Sequence, residues 1–146
     1  AFALKWPNDM LLRGGKVAGI LLESVGDHLA IGIGVNLAHG PEASTLEARA
    51  LPAVTLREAG ANVSAEDFLD VLAREYAGLE EQFTTYGFST IRSAWLAHAA
   101  RLGEVITART MRDEITGVFE DVDGAGNLIL RTRDGAVPIT AADVFF

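Results

Sequence analysis

The stretch GKVAGILLESVGDHLAIGIGVN, residues 15–36, predicts a β-hairpin around which the other elements are arranged. Residues 17–25 are rich in aliphatic side chains, which is typical of a buried strand. Gly26 and Asp27 form a two-residue loop with glycine first, the pattern of a type II′ turn. Residues 28–35 are expected to return as the partner strand, in which Gly32 and Gly34 indicate close approach by another backbone or by a ligand.

Helices are predicted after the hairpin. Ser64 is a helix cap and Gly87 a helix end, while a second helix is expected to begin at Ser89, to turn Trp95 inward and to end at Gly103. The first helix places apolar residues at helical spacing, which predicts core positions at Phe68, Leu72, Tyr76, Leu79 and Phe83. The remaining predictions are a strand end at residues 2–6, a short apolar stretch at 10–12, a turn at 13–15, a loop at 37–53 and a short capped helix at 55–60.

After Gly103 the pattern changes from helical to alternating. Four short strands are predicted, at residues 105–109, 115–122, 128–132 and 137–140, separated by turns rich in Asp and Gly. Strands of this length and spacing favour a small barrel. The sequence therefore predicts an α+β chain with one domain at 1–102 and a second at 103–146.

Composition limits the kinds of function. The 146 residues include no cysteine, which excludes disulfides and thiolate metal sites. The net charge of −8 comes without a basic stripe, so no nucleic-acid partner is expected. No apolar run is long enough for a membrane span. The absence of cysteine fits the cytoplasmic location that we expect. The chain begins Ala-Phe-Ala without an initiator Met, so we also expect sequence upstream of Ala1.

Two groups of residues could carry chemistry. In the first, residues 5–9 (KWPND) are followed by Lys16. Asp9 on a turn is a fit ligand for Mg²⁺, and Lys16 is a compact charge suited to carboxylate or phosphate. A turn aspartate with surface lysines is the alternative. The second group is residues 32–36 (GIGVN), where glycines admit a ligand and Asn36 offers a donor and an acceptor, or where a strand simply ends in a turn.

Taken in order, residues 5–9 (KWPND), 16–23 (KVAGILLE) and 31–36 (IGIGVN) resemble the biotin–protein ligase family. The resemblance continues into residues 117–123 (GVFEDVD) and 126–130 (GNLIL). It implies the C-terminal part of a mixed-sheet catalytic domain, followed by an SH3-like β-barrel. Ligases of this family use ATP and Mg²⁺ to convert biotin into biotinyl-5′-adenylate. They then pass biotin to a lysine of a carrier protein.

The resemblance also implies roles for particular residues. Lys16 would contact the biotin carboxylate and the adenylate phosphate, and Asp9 would bind metal and phosphate. Lys5 would be a phosphate contact and Trp6 would flank the pocket. The nucleotide and biotin pocket would include Asn8, Gly19, Gly32, Gly34 and Asn36.

The sequence also departs from the family pattern. The family's Gly-Arg-Gly-Arg-like adenylate loop precedes the KWPND motif, and these 146 residues do not contain it. We therefore expect little biotin adenylation by this chain alone. A lipoyl or octanoyl transferase and a non-catalytic module that binds a carrier protein stay open as alternatives. A homodimer is compatible with the resemblance.

Overall fold

The computed structural model describes residues 1–42 and 50–146, which form two antiparallel sheets and two helices. The first sheet has the order β1-β2-β3-β4 and the second the order β8-β7-β6-β5-β9. The elements are β1 (Phe2–Lys5), β2 (Asp9–Leu12), β3 (Gly15–Val25), β4 (His28–Val35), α1 (Ala65–Tyr86), α2 (Phe88–Leu96), β5 (Val105–Arg109), β6 (Glu114–Val122), β7 (Leu128–Thr132), β8 (Gly135–Ile139) and β9 (Asp143–Phe145). The predicted α+β class is confirmed.

The contacts divide the chain into two compact units. The first unit contains residues 1–4 and 8–72, and the second contains residues 5–7 and 73–146. The second unit thus includes most of α1, all of α2 and a short piece of the KWPND motif. The division of the chain at residue 102 stays a prediction about domains.

The predicted hairpin is confirmed as β3 and β4. The strands pair from Ala18 with Val35 to Val25 with His28, and Gly26 has the positive φ of 59° that the turn requires. The prediction that the whole of β3 is buried is wrong. Val17 and Ala18 lie in a small core with Leu12, but residues 20–25 are exposed. Aliphatic composition marks side chains that favour burial, and no described segment covers this half of the hairpin.

Helix α1 begins and ends where its caps predict. The backbone N–H of Asp67 donates to Ser64 Oγ at 3.1 Å, and Gly87 ends the helix with a φ of 77°. The predicted core role of its apolar face is wrong for most of the helix, since Tyr76 is 43% and Phe83 51% exposed. Residues 55–60 also differ from the prediction: the capping bonds are present, but the chain continues as turns and not as a helix.

The second unit has a core made by its sheet. Phe119, Leu128 and Leu130 are each at most 1% exposed, and the ring of Trp95 from α2 packs at 6.4 Å from the ring of Phe119. All four predicted strands are present, and β9 is a fifth that the prediction missed. The description of this sheet as SH3-like stays a prediction.

Within residues 1–42 and 50–146, no helix is both long enough and apolar enough to span a bilayer.

Candidate functional site

An ion pair between two neighbouring strands forms the centre of the candidate site. Asp9 begins β2 and Lys16 is the second residue of β3, and their Oδ1 and Nζ atoms are 2.6 Å apart. The aspartate side chain is 13% exposed and the lysine side chain 45%. The lysine is therefore oriented by a carboxylate that is nearly buried, while its own charge stays accessible from solvent.

A groove that we call the glycine groove runs beside this pair. Its volume is about 480 Å³, and its lining consists of Asn8, Asp9, Lys16, Gly19, Ile20, Leu21, Gly32, Ile33 and Gly34. An added Cβ at Gly32 or Gly34 would make only ordinary van der Waals contacts, since its nearest neighbours in the chain would lie at 3.6 Å and 3.9 Å. Their missing side chains relieve no clash within the protein. They leave the groove shallow and accessible, as close approach by a ligand requires.

Gly19 has a different reason to be glycine. A Cβ at this position would lie 3.1 Å from Lys16 Nζ and 3.4 Å from Asp9 Oδ1. Contacts this short would push on the ion pair. The glycine therefore leaves room for the charged side chains to meet.

A second cleft adjoins the glycine groove. It measures about 420 Å³ and is lined by Lys16, Ala18, Gly19, Gly34, Val35, Asn36, Pro41, Leu51 and Ala53. Lys16, Gly19 and Gly34 belong to both cavities. An elongated ligand with a negative charge near its middle would meet the lysine while its two ends occupy different clefts.

The two asparagines of the site use their amide N–H groups to brace the backbone. Asn8 Nδ2 donates to the carbonyl of Ile20 at 2.6 Å. Asn36 Nδ2 donates to the carbonyls of Lys16 and Val54, both at 3.2 Å. These side chains therefore hold β3 in place, and the Asn36 carboxamide keeps its oxygen as the group to offer a ligand.

Trp6 and Lys5 belong to the second unit, whereas the other predicted site residues belong to the first. Trp6 is 6% exposed, packs in the core that contains Phe119, and donates from Nε1 to the Gly126 carbonyl at 3.1 Å. Lys5 ends β1 and is half-buried. Neither residue is among those that line the two clefts. The structure thus gives Trp6 a packing role that the sequence pattern did not indicate.

Sequence reasoning missed the part played by residues 52–54. The N–H of Lys16 donates to the Pro52 carbonyl at 2.8 Å, and the N–H of Val54 donates to the Lys16 carbonyl at 3.0 Å. Ala53 forms a parallel bridge to Lys16 and lines the second cleft. The short apolar run at residues 50–54 was the available signal, but the prediction placed it at the end of a loop. Residues 43–49 of that predicted loop lie outside the described residues.

Two family models match parts of this chain. The family model "Biotin/lipoate A/B protein ligase family" matches residues 1–36, which carry Asp9, Lys16 and the glycines. The model "Biotin protein ligase C terminal domain" matches residues 102–146. The chain is 55% identical to a biotin--[acetyl-CoA-carboxylase] ligase of Paracoccus denitrificans, with 99% of this chain and 62% of the relative covered.

Solved structures with a similar fold are also biotin protein ligases. A biotin protein ligase from Aquifex aeolicus in complex with biotin and ATP has a TM-score of 0.81 and 29% identity, covering 98% of this chain and 61% of that one. Another structure of that organism's biotin protein ligase has a TM-score of 0.86 and 25% identity, covering 98% and 64%. The chain therefore spans less than two thirds of the length of these relatives.

The fold and the family match over residues 1–36 place the chain in the class of biotin and lipoate protein ligases. The C-terminal match and the identity to the Paracoccus relative narrow the class further. The chain belongs to the biotin protein ligase family, as its motifs predicted.

Proposed function

We propose that this chain carries the adenylate-binding part of an ATP-dependent biotin–protein ligase. The observation that carries the proposal is the position of the exposed Lys16. Its Nζ atom is 2.6 Å from the Asp9 carboxylate, and the residue lines a groove that also contains glycines. A solvent-accessible cation beside an open groove suits an acyl-adenylate. Such a molecule has an apolar acyl end, a flat nucleoside end and one negative phosphate between them.

The lysine would act by electrostatics in the activation step. The carboxylate oxygen of biotin attacks the α-phosphorus of ATP, a P–O bond forms, and pyrophosphate leaves with the electrons of the broken P–O bond. Two anions must approach each other in this step. Lys16 Nζ would offset their repulsion and stabilise the charge that grows on the phosphorus oxygens.

In the transfer step, the amine of a carrier lysine attacks the acyl carbon of biotinyl-5′-adenylate. An amide forms, AMP leaves, and the amine loses a proton. The Lys16 charge would then favour departure of AMP by holding its phosphate. The carrier protein, like the ligase activity itself, is part of the proposal.

Mg²⁺ fits this site only together with phosphates. Among the described residues, no cluster of three or more His, Cys, Asp or Glu side chains is arranged to hold a metal ion. Asp9 would supply one carboxylate oxygen, and ATP phosphates the others, which is a usual arrangement for Mg²⁺. Bound there, the ion would neutralise phosphate charge.

A cytoplasmic location and a homodimer stay predictions.

A calorimetric titration of the purified chain with biotinyl-5′-adenylate tests the proposal. We expect saturable binding at one site, and weaker binding of lipoyl-5′-adenylate. Tighter binding of the lipoyl compound would favour the lipoyl transferase alternative. Binding of an isolated carrier domain, without binding of either adenylate, would favour a non-catalytic module that binds the carrier protein. That result would contradict the proposal.

A further inference from the structure

The second unit contains a cavity of its own, which we call the ring pocket. Its volume is about 170 Å³. The lining residues that the structure describes all belong to residues 5–7 and 73–146, and none of them lines the glycine groove or the second cleft. They are Trp6, Pro7, Phe88, Ile91, Arg92, Trp95, Val122 and Gly126. The ring pocket therefore shares no residue with the two clefts of the candidate site.

Aromatic and aliphatic side chains form most of the wall. Phe88, Ile91 and Trp95 come from α2, at the spacing of positions that share one face of a helix. Trp6 and Val122 are 6% and 5% exposed and belong to the core of this unit, so their side of the pocket is held by packing. Aromatic walls favour a ligand that is itself a ring, because aromatic rings attract each other in offset and edge-to-face arrangements.

The main donors of the wall already have partners. Trp6 Nε1 donates to the Gly126 carbonyl at 3.1 Å. The Arg92 guanidinium donates from Nε to the Val122 carbonyl and from Nη2 to the Asp121 carboxylate. Water in the ring pocket would therefore find few partners, and an apolar ligand displaces such water readily. An anionic ligand is disfavoured, because the Asp121 carboxylate already pairs with the guanidinium.

The volume of the ring pocket is that of a single small molecule. An apolar cavity of roughly 150 Å³ in another protein binds benzene. An aromatic side chain on a peptide would also bring amide groups, which lose hydrogen bonds to water unless the wall replaces them. Because the main donors of the wall are engaged, a free apolar ring fits this pocket better than a peptide does.

We propose that the ring pocket is a binding site for a small, uncharged aromatic molecule with one ring. Burial of the ring against Trp6, Phe88 and Trp95 supplies the affinity. The ion pair of Arg92 and Asp121 keeps charged molecules out. The site does not depend on binding of an adenylate, since its residues are not those of the glycine groove.

Tryptophan fluorescence tests the proposal, because both tryptophans of the chain line the ring pocket. Toluene should change the emission saturably, with a dissociation constant of about 1 mM or less. N-acetylphenylalanine amide carries the same ring with two amide groups and should bind more weakly. No saturable change with toluene, or an affinity for the amide that equals or exceeds that for toluene, overturns the proposal.

A variant that fills the pocket tests where toluene binds. Ile91→Phe places a ring of the protein's own in the ring pocket and should weaken toluene binding by roughly tenfold or more. Leu102→Phe is the matched control, because Leu102 is 42% exposed in the same unit and does not line the pocket. The control should bind toluene as the parent does. Equal affinities of Ile91→Phe and the parent overturn the assignment.

A measurement on the parent protein covers the case in which Ile91→Phe does not fold. Nuclear Overhauser effects should connect the toluene methyl protons with indole protons of Trp6 and Trp95. The absence of these contacts at saturating toluene, or contacts only with Ile20 and Ile33 of the glycine groove, overturns the ring pocket as the binding site.

Discussion

At the scale of single residues, the site depends on a charge whose position is set by its neighbours. Lys16 is held by the Asp9 carboxylate at 2.6 Å and by backbone hydrogen bonds to Pro52 and Val54. A long flexible side chain normally loses entropy when it binds a ligand. Because this lysine is already restrained, it meets an anion with less of that loss, which is the advantage of a preorganised site.

Replacement of Lys16 tests the contribution of the charge. We predict that Lys16→Ala weakens binding of biotinyl-5′-adenylate on the order of 10²-fold, as is typical for loss of a preorganised group that stabilises charge. The lysine side chain is 45% exposed, so the free energy of unfolding should change little. Calorimetry and urea denaturation measure the two quantities. Parent-like affinity in the variant would show that the groove does not use this lysine.

The groove itself is tested by filling it. We predict that Gly32→Val lowers the affinity for the adenylate by roughly tenfold or more, since the new side chain occupies ligand space. The nearest atom to a Cβ there is at 3.6 Å, so the fold should tolerate the change. Gly78→Ala in α1 is the matched control, because a Cβ there meets nothing within 4 Å. The control should stabilise the helix by up to about 1 kcal/mol and leave the affinity unchanged. Equal affinities of Gly32→Val and the parent would show that the adenylate does not occupy the glycine groove beside Gly32.

At the scale of elements, the turn between β6 and β7 shows how one carboxylate organises a hairpin. Asp123 accepts hydrogen bonds from the backbone N–H groups of Ala125 and Asn127 and from the Asn127 side chain, all within 2.9 Å. Hydrogen bonds to the ionised form, first from the Asn127 side chain and then from its backbone, lower the pKa of Asp123 below 3.8.

This turn predicts a pH dependence. A folded-state pKa below the unfolded value contributes stability that is complete above about pH 3.8 and is lost as the pH falls through the folded-state pKa. Asn127→Ala should raise the pKa of Asp123 towards 3.8 and weaken this acid dependence. An NMR titration of the Asp123 carboxyl carbon measures the pKa in both proteins. A parent pKa at or above 3.8 would contradict the account.

The packing of Trp6 in the second unit gives another test. We predict that Trp6→Ala destabilises this unit by about 3–5 kcal/mol, the usual cost of removing a large buried aromatic side chain. Met111 is fully exposed, so Met111→Ala should change stability by less than about 0.5 kcal/mol. Urea denaturation followed by the fluorescence of Trp95 measures both. Equal stabilities of the two variants would show that Trp6 is not part of the core.

At the scale of the whole molecule, the sequence predicted the elements better than their burial. The hairpin and the ends of α1 were predictable because their signals are local. Gly26 and Gly87 adopt a positive φ, and the Ser64 side chain accepts a capping hydrogen bond. The exposure of Tyr76 and Phe83 was not, because periodicity tells which face is apolar but not whether another layer of this chain covers it.

The candidate site was predictable in part for similar reasons. The residue types at Asp9, Lys16 and Gly34 indicated metal, anion and close approach, and the structure brings these residues to one groove. The β-bulge at Val17, which has no partner in β2, could not be read from the sequence, since a period of two gives no sign of where one residue is inserted. Trp6 was assigned to the pocket through the family resemblance of its motif, and a motif does not fix how each of its side chains packs.

The central claim is that biotinyl-5′-adenylate binds against Lys16 in the glycine groove. The most direct test is to record the backbone amide resonances of the ¹⁵N-labelled chain while the adenylate is added. We predict that the largest shifts occur at Lys16, Gly19, Gly32 and Gly34, and that Lys16→Ala abolishes them at the same ligand concentration. Shifts confined to the strands of residues 105–145, or shifts that persist unchanged in Lys16→Ala, would contradict it.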